Sequence, residues 1–326
     1  MLEHGGNLRD AARLYGRDDW VDLSTGINPH GYPAPVLPAD AWHRLPEPDP
    51  QLGTAACAYY GAPALLPVAG TQAAIQALPR LRAPSRVTVS HPSYAEHAHA
   101  WAQHGHVLRL AAYAELDAAV ETSDVVVVVN PNNPTGATIA PERLLAWAAR
   151  LGARGGWLVV DEAFGDTDPA LSVAAHAGQP GLIVLRSVGK FFGLAGLRLG
   201  FVGADGVTLQ ALADLLGPWA VSGPAQTVAL QALRDTDWQQ ATFERLHASG
   251  RRMRTLLDTH AIRAAGTPLF QWWAEAQPEA FHTHMARHGI WCRLFRGAGR
   301  GIRVGLPASE AGWQRLEQAL QAWSSR

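Results

Sequence analysis

The sequence predicts an α/β fold: a mostly parallel central sheet with helices on both faces, plus a smaller α+β domain toward the C-terminus. Three observations predict it. Through the first two thirds of the chain, short β-rich runs alternate with longer segments rich in Ala, Leu, Arg and Gln. That alternation is the pattern of parallel strands joined by helical crossovers. Residues 125–129 are Val at every position, as suits a strand buried on both sides. After about Ser222 the texture changes to long helical stretches followed by short strand candidates.

The elements follow in order. The segment 1–50 is Pro/Gly-rich with few periodic runs and is expected to pack on the small domain and the active site. A large domain is expected over 51–222. Its predicted strands are 86–90, 107–110, 125–129, 157–161, 182–186 and 199–202, and its predicted helices 71–81, 94–104, 141–151 and 207–215. The small domain, 223–326, should hold helices over 224–233, 238–257 and 309–323 and strands over 269–273, 290–294 and 301–304.

Composition narrows the function. Of 326 residues, 48% are hydrophobic and 17% charged, which suits a large buried core and not a disordered chain. Basic and acidic residues nearly cancel, 27 against 28, with no block of like charge, so nothing supports a nucleic-acid footprint. The apolar runs are far too short to span a bilayer. The polar start, 1–10, lacks a signal-peptide core, so a cytoplasmic protein is expected. Cys57 and Cys292 suit neither a disulfide framework nor a four-ligand zinc site. His282 and His284 would point apart on a helix, so no metal is expected.

One count is more telling. The chain has 27 basic side chains, and a single one of them, Lys190, is lysine. A GC-rich genome explains the Arg bias but not the exception. Arg stays protonated, whereas Lys can lose its proton, act as a nucleophile and form an imine. Lys190 closes Ser187-Val188-Gly189-Lys190, directly after an apolar strand candidate. That places it at a strand's carboxyl end, where open α/β sheets bind ligands.

Four further segments occupy strand ends. Asp161 ends the strand 157–161 and opens Asp161-Glu162-Ala163-Phe164; it is either a turn cap or a carboxylate able to hold a ring nitrogen protonated. Asn130-Pro131-Asn132-Asn133-Pro134-Thr135-Gly136 follows the valine run and offers turn chemistry or amide donors. His91-Pro92-Ser93-Tyr94 follows 86–90 and brings an aromatic ring, for packing or for stacking on a planar ligand. Gly70-Thr71-Gln72 opens a helix whose first-turn N–H groups suit an anion. Eight residues after Lys190, Arg198 can close on a phosphate as a bidentate fork. Together these are the groups a phosphorylated pyridine aldehyde requires. No G-x-G-x-x-G follows a first strand, which removes a nicotinamide dehydrogenase.

In this order the segments resemble the pyridoxal-5′-phosphate enzymes of fold type I, the aspartate aminotransferase superfamily. The resemblance runs through Gly70-Thr71, Pro92-Ser93-Tyr94, Asn133-Pro134-Thr135-Gly136, Asp161-Glu162-Ala163-Phe164, Ser187-x-x-Lys190 and Gly196-Leu197-Arg198-Leu199-Gly200. It implies the fold type I transferase architecture, pyridoxal 5′-phosphate as cofactor and a homodimer. Within the superfamily the chain is similar to the branch that decarboxylates L-threonine O-3-phosphate in cobalamin biosynthesis, relatives of histidinol-phosphate aminotransferase. The features that carry this are His4-Gly5-Gly6-Asn7, Asp22-Leu23-Ser24-Thr25-Gly26-Ile27-Asn28-Pro29, the short chain, and Phe164 where aminotransferases usually have Tyr.

The resemblance implies roles. Lys190 would hold the cofactor aldehyde, Asp161 pair with the pyridinium nitrogen, Asn133 donate to the ring hydroxyl and Tyr94 stack on the ring. Gly70, Thr71, Gln72, Ser187 and Arg198 would hold the cofactor phosphate. Arg303 would take the substrate carboxylate with help from the backbone near Ile27, and Arg293 the substrate phosphate with help from His4; Asn133 would also border the substrate. Decarboxylation to (R)-1-amino-2-propanol phosphate and CO₂ is the expected reaction, with aminotransfer as the alternative. Where relatives carry Tyr-Pro in a segment reaching the neighbouring subunit's cofactor, this chain has Leu45-Pro46.

Overall fold

A computed structural model describes residues 4–324. The strands are β1 (Val21–Asp22), β2 (Leu66–Val68), β3 (Arg86–Ser90), β4 (Val107–Ala111), β5 (Val125–Val129), β6 (Trp157–Asp161), β7 (Leu182–Ser187), β8 (Gly200–Gly203), β9 (Ala265–Thr267), β10 (Phe270–Trp273), β11 (Ile290–Trp291), β12 (Arg293–Phe295) and β13 (Gly301–Val304). The chain forms two compact units. One comprises Met1–Gly31 (as described from residue 4), Pro134–Ala137 and Ala241–Arg326 (as described to 324); the other comprises Tyr32–Asn133 and Thr138–Gln240.

The second unit is built on a seven-stranded sheet in the order β2-β8-β7-β6-β5-β3-β4. Strands β3 to β7 run parallel, and β8 lies antiparallel to both β7 and β2. Central strands β5 and β7 are buried along their whole length, which is why β5 throughout, and β7 as far as Leu185, are apolar without alternation. Val87, Val89, Val125, Val127, Val159, Ile183 and Leu185 pack with Ala74, Ile75, Ala100 and Trp101 of the covering helices. Each such fully buried aliphatic side chain contributes roughly 1.5–3 kcal/mol.

Boundaries moved for identifiable reasons. The predicted helix 71–81 is α-helical over Thr71–Ala77 and 3₁₀ over Leu78–Leu81, because Pro79 has no N–H to continue the ladder. Strand β2 is absent from the predicted strands because Pro67 sits in its middle; it is an edge strand, where proline is tolerated. The helix Pro50–Tyr60, not among the predicted helices, begins where the Pro-rich segment ends; Asp49 caps it, accepting from the Gln51 N–H, with Pro at its first position.

The division between units differs from the three segments expected. Residues 32–50 and 223–240 lie with the sheet unit. The helices Pro50–Tyr60 and Gly223–Arg234 pack on each other, and Gln226 bonds both the Asp49 N–H and the Glu47 carbonyl.

In the first unit, β12-β13-β10-β9 form an antiparallel sheet and β1 pairs with β11 in parallel. The predicted strand 290–294 is broken at buried Cys292, so that β11 serves one sheet and β12 the other.

Candidate active site

The topology of the second unit gathers the loops that carry the chemistry. The carboxyl ends of β2, β3, β5, β6 and β7 all point to one edge, and antiparallel β8 begins there. Gly70 follows β2, Tyr94 follows β3, Asn133 follows β5, Asp161 ends β6, Ser187 ends β7, Lys190 comes three residues later, and Arg198 precedes β8. One sheet edge therefore collects every second-unit residue to which a cofactor role was assigned.

Asp161 is buried. Its Oδ1 accepts from the Ala163 N–H at 3.0 Å, and its Oδ2 lies 2.8 Å from Nε2 of His97, also buried. A carboxylate removed from water in this way must be compensated by hydrogen bonds or charge. His97 was not anticipated: it lies in the helix Ala95–Gln103, one turn past Tyr94, and an isolated His carries no spacing signal that separates it from the other 13.

Lys190 is partly buried, with Nζ 5.4 Å from the centroid of the buried Phe164 ring. Phe164 thus stands beside the amine without offering it a hydroxyl. Ser187 Oγ accepts from the Gly189 N–H at 3.1 Å, which shapes the turn leading to Lys190.

The cradle forms at Gly70. Gly70 is the N-cap of the helix Thr71–Ala77, at φ +74. A Cβ there would lie 2.7 Å from Arg198 Nη2 and would push the guanidinium aside, and the positive φ is itself strained for any other residue. Arg198 is itself left-handed, at φ 55. Gly200 serves the same packing, since a Cβ on it would meet the Thr71 backbone nitrogen at 2.8 Å. Tyr94 donates from its hydroxyl to Gln72 Oε1 at 3.2 Å; burial, then the charges of Glu96 and Asp161, push this phenol up to about 12, against an opposite pull from Arg198. Asn133 is half-buried, and its neighbour Asn132 donates to the Pro92 carbonyl at 2.9 Å, tying the loop after β5 to the loop after β3.

Beneath this edge lies a buried ion cluster that the sequence did not reveal. Arg186, the penultimate residue of β7, donates to Glu162 Oε2 at 2.6 Å and Asp166 Oδ1 at 3.2 Å and lies over the Tyr60 ring at 4.4 Å. Burial pulls the guanidinium down, but Asp166 and Glu162 outweigh it and hold Arg186 charged. One side chain thus joins the loop of Asp161 and Phe164 to the loop of Ser187 and Lys190. Replacing Arg186 with Met leaves two buried carboxylates without their cation and is expected to destabilise the protein by about 3–5 kcal/mol. A urea unfolding curve measures this; a midpoint unchanged from wild type would refute the bracing role.

The first unit carries the other candidates. Arg303 on β13 and Arg293 on β12 are directly opposed across the antiparallel pair. Like charges facing each other on one sheet are unfavourable unless an anion joins them. Arg303 is buried, donates to the Ser24 carbonyl at 2.7 Å and lies over the Phe270 ring at 5.3 Å. Burial, then the Arg293 cation, push its guanidinium down to about 9, against a pull from Asp22. Gly6 donates to Ser24 Oγ at 2.7 Å, so the N-terminal motif packs on the segment that Arg303 reaches. His4 is exposed and Ile27 half-buried. Among the described residues no group of three or more His, Cys, Asp or Glu could hold a metal ion.

A primary amine and a buried carboxylate on neighbouring strand ends, above a glycine-lined cradle with an arginine, suit an aldehyde cofactor bearing a basic ring nitrogen and a phosphate. Fold and edge are those of the pyridoxal-phosphate-dependent enzymes of fold type I. The chain belongs to the aminotransferase class I and II family, whose model matches residues 18–308. It is 54% identical to the threonine-phosphate decarboxylase of Pseudomonas aeruginosa over 98% of this chain and 97% of that protein. It is 46% identical to a threonine-phosphate decarboxylase from Sinorhizobium sp over 98% of this chain and 97% of the relative. Among solved structures it resembles the histidinol-phosphate aminotransferase of Sinorhizobium meliloti in complex with pyridoxal-5′-phosphate, with TM-score 0.83 and 22% identity, over 99% of this chain and 95% of that one. The residues present fit the cofactor: Asp161 is compensated by His97 yet retains its strand-end position, and the cradle at Gly70 is one that a Cβ would fill.

Proposed function

We propose that this protein is a pyridoxal-phosphate-dependent lyase that converts L-threonine O-3-phosphate and a proton to (R)-1-amino-2-propanol phosphate and CO₂, a step of cobalamin biosynthesis. The observation that carries the reading is the near full-length identity to threonine-phosphate decarboxylases. Lys190 as the sole lysine and the opposed arginines support it.

When bound, the cofactor supplies an electron sink for the pair left on the substrate Cα as CO₂ departs. The protein's residues do the rest. Lys190 Nζ would hold the cofactor aldehyde, and as an amine that can lose and regain its proton it would return a proton to the substrate Cα. Asp161 Oδ keeps the proton on the ring nitrogen, because an anion beside that group favours its charged form; His97 keeps the carboxylate in place. Tyr94 stacks on the ring, and Asn133 donates to its hydroxyl. Gly70, Thr71, Gln72, Ser187 and Arg198 hold the phosphate.

Bond choice follows from orientation. The orientation in which the substrate is held would decide which bond at Cα breaks, so the anion anchors select the reaction. Arg303 takes the substrate carboxylate, with the backbone near Ile27, and Arg293 takes the phosphate, with His4. Phe164 adds no hydrogen bond at the ring. The compartment proposed is the cytoplasm, in keeping with two unpaired cysteines. No described helix is long and apolar enough to cross a membrane. The proposed assembly is a homodimer; exposed Trp42, Leu45 and Trp219 on the sheet unit support it.

Incubation of the purified protein with pyridoxal phosphate and L-threonine O-3-phosphate tests the reading. CO₂ is expected in proportion to aminopropanol phosphate, without any keto acid. Turnover that requires 2-oxoglutarate and releases no CO₂ would identify an aminotransferase instead.

A further inference from the structure

Glu96 is a buried carboxylate to which no role has been given. It lies in the first turn of the helix Ala95–Gln103, where an exposed acid would serve the helix dipole equally well. Burial instead places it against two side-chain amides: Glu96 Oε2 accepts from Gln72 Nε2 at 2.8 Å and from Gln76 Nε2 at 3.5 Å. An ionised carboxylate only accepts. Gln72 must therefore turn its NH₂ toward Glu96, and its Oε1 faces the other way, where the Tyr94 hydroxyl donates to it at 3.2 Å. With the amide reversed, Gln72 Oε1 would oppose the carboxylate, two acceptors face to face.

We propose that Glu96 is a positioning residue: by fixing the amide orientation of Gln72 it fixes the Tyr94 hydroxyl, and with it the ring that Tyr94 presents to the cofactor. The inference rests on the reading of Tyr94 as the ring-stacking residue. A relay of this kind costs the burial of a charge, and what it gives in return is a single hydrogen-bond polarity along Glu96–Gln72–Tyr94. The upward push of the Glu96 charge on the Tyr94 phenol marks the same linkage.

A double-mutant cycle tests it. Wild type, Glu96→Gln, Tyr94→Phe and the double variant are titrated with pyridoxal phosphate, binding being read from tryptophan quenching, after thermal melts confirm folding. Glu96→Gln keeps the shape but can donate, so the amide of Gln72 loses its enforced orientation. Cofactor affinity is expected to fall about tenfold in the wild-type background, the order of one hydrogen bond to a charged group, and by less than about twofold when the Tyr94 hydroxyl is already gone. In the apoprotein, with Tyr94→Phe as blank, Glu96→Gln should also lower the Tyr94 phenol from about 12, since a nearby anion is removed. An equal loss in both backgrounds, or no loss in either, would overturn the relay and leave Glu96 as helix packing. Should Glu96→Gln fail to fold, Glu96→Met removes the same carboxylate without touching Gln72 and is read the same way. Tyr94→Ala separates this from the parent reading: unchanged cofactor affinity there removes Tyr94 from the cofactor altogether, whereas a loss there with an uncoupled Glu96→Gln rejects only the relay.

Discussion

Replacing Lys190 with Arg is expected to reduce decarboxylation by about 1,000-fold or more, because the role needs a nucleophilic amine that can give up its proton. Length and positive charge are retained, and a guanidinium still cannot form the bond, since it stays protonated at any working pH. The chain makes that substitution natural at every other basic position, where 26 arginines stand. Cofactor should still bind, more weakly, through the cradle at Gly70 and Arg198, and should wash out on dialysis. Activity assays and dialysis with phosphate analysis read the two effects. A Lys190→Arg enzyme within about tenfold of wild type would exclude covalent catalysis by this residue.

Asp161→Asn should cost on the order of 100- to 1,000-fold in kcat, with a smaller change in KM. The amide keeps the size of the side chain and can still meet His97, which lies 2.8 Å from Oδ2 in the native protein. It cannot stabilise a cation on the ring nitrogen, because it has no charge to offer. Cofactor binding should persist, since the cradle lies on other loops. The split matters: a fall in cofactor affinity with kcat preserved would make Asp161 a structural anchor rather than a group that tunes the ring. Steady-state kinetics at saturating cofactor make the distinction.

Much of this is legible in the sequence. The valine run of β5 and β6 as far as Val160 have no polar residue to interrupt them, and β7 is apolar through Leu185, so burial on both faces is legible there from composition; that Arg186 is buried too is not. Parallel order then sends their ends to one edge, and the edge is where Lys190, Asp161, Tyr94 and the Gly70 helix fall. What stayed hidden depends on contacts between distant residues. His97 meets Asp161 across 64 positions, and Arg186 meets Glu162 across 24; neither spacing has a local signature. The opposition of Arg293 and Arg303 required knowing the register of two short strands. The interrupted strand at Cys292 shows the same limit, because an apolar run does not say that two sheets will share it.

The chemistry as a whole depends on one amine holding the cofactor. Borohydride reduction of the pyridoxal-phosphate-loaded protein, followed by proteolysis and mass spectrometry, tests this most directly. A single stable phosphopyridoxyl adduct on the peptide containing Lys190 is the predicted result. An adduct elsewhere, such as the chain's amino terminus, or no adduct with the protein folded and loaded, would contradict it.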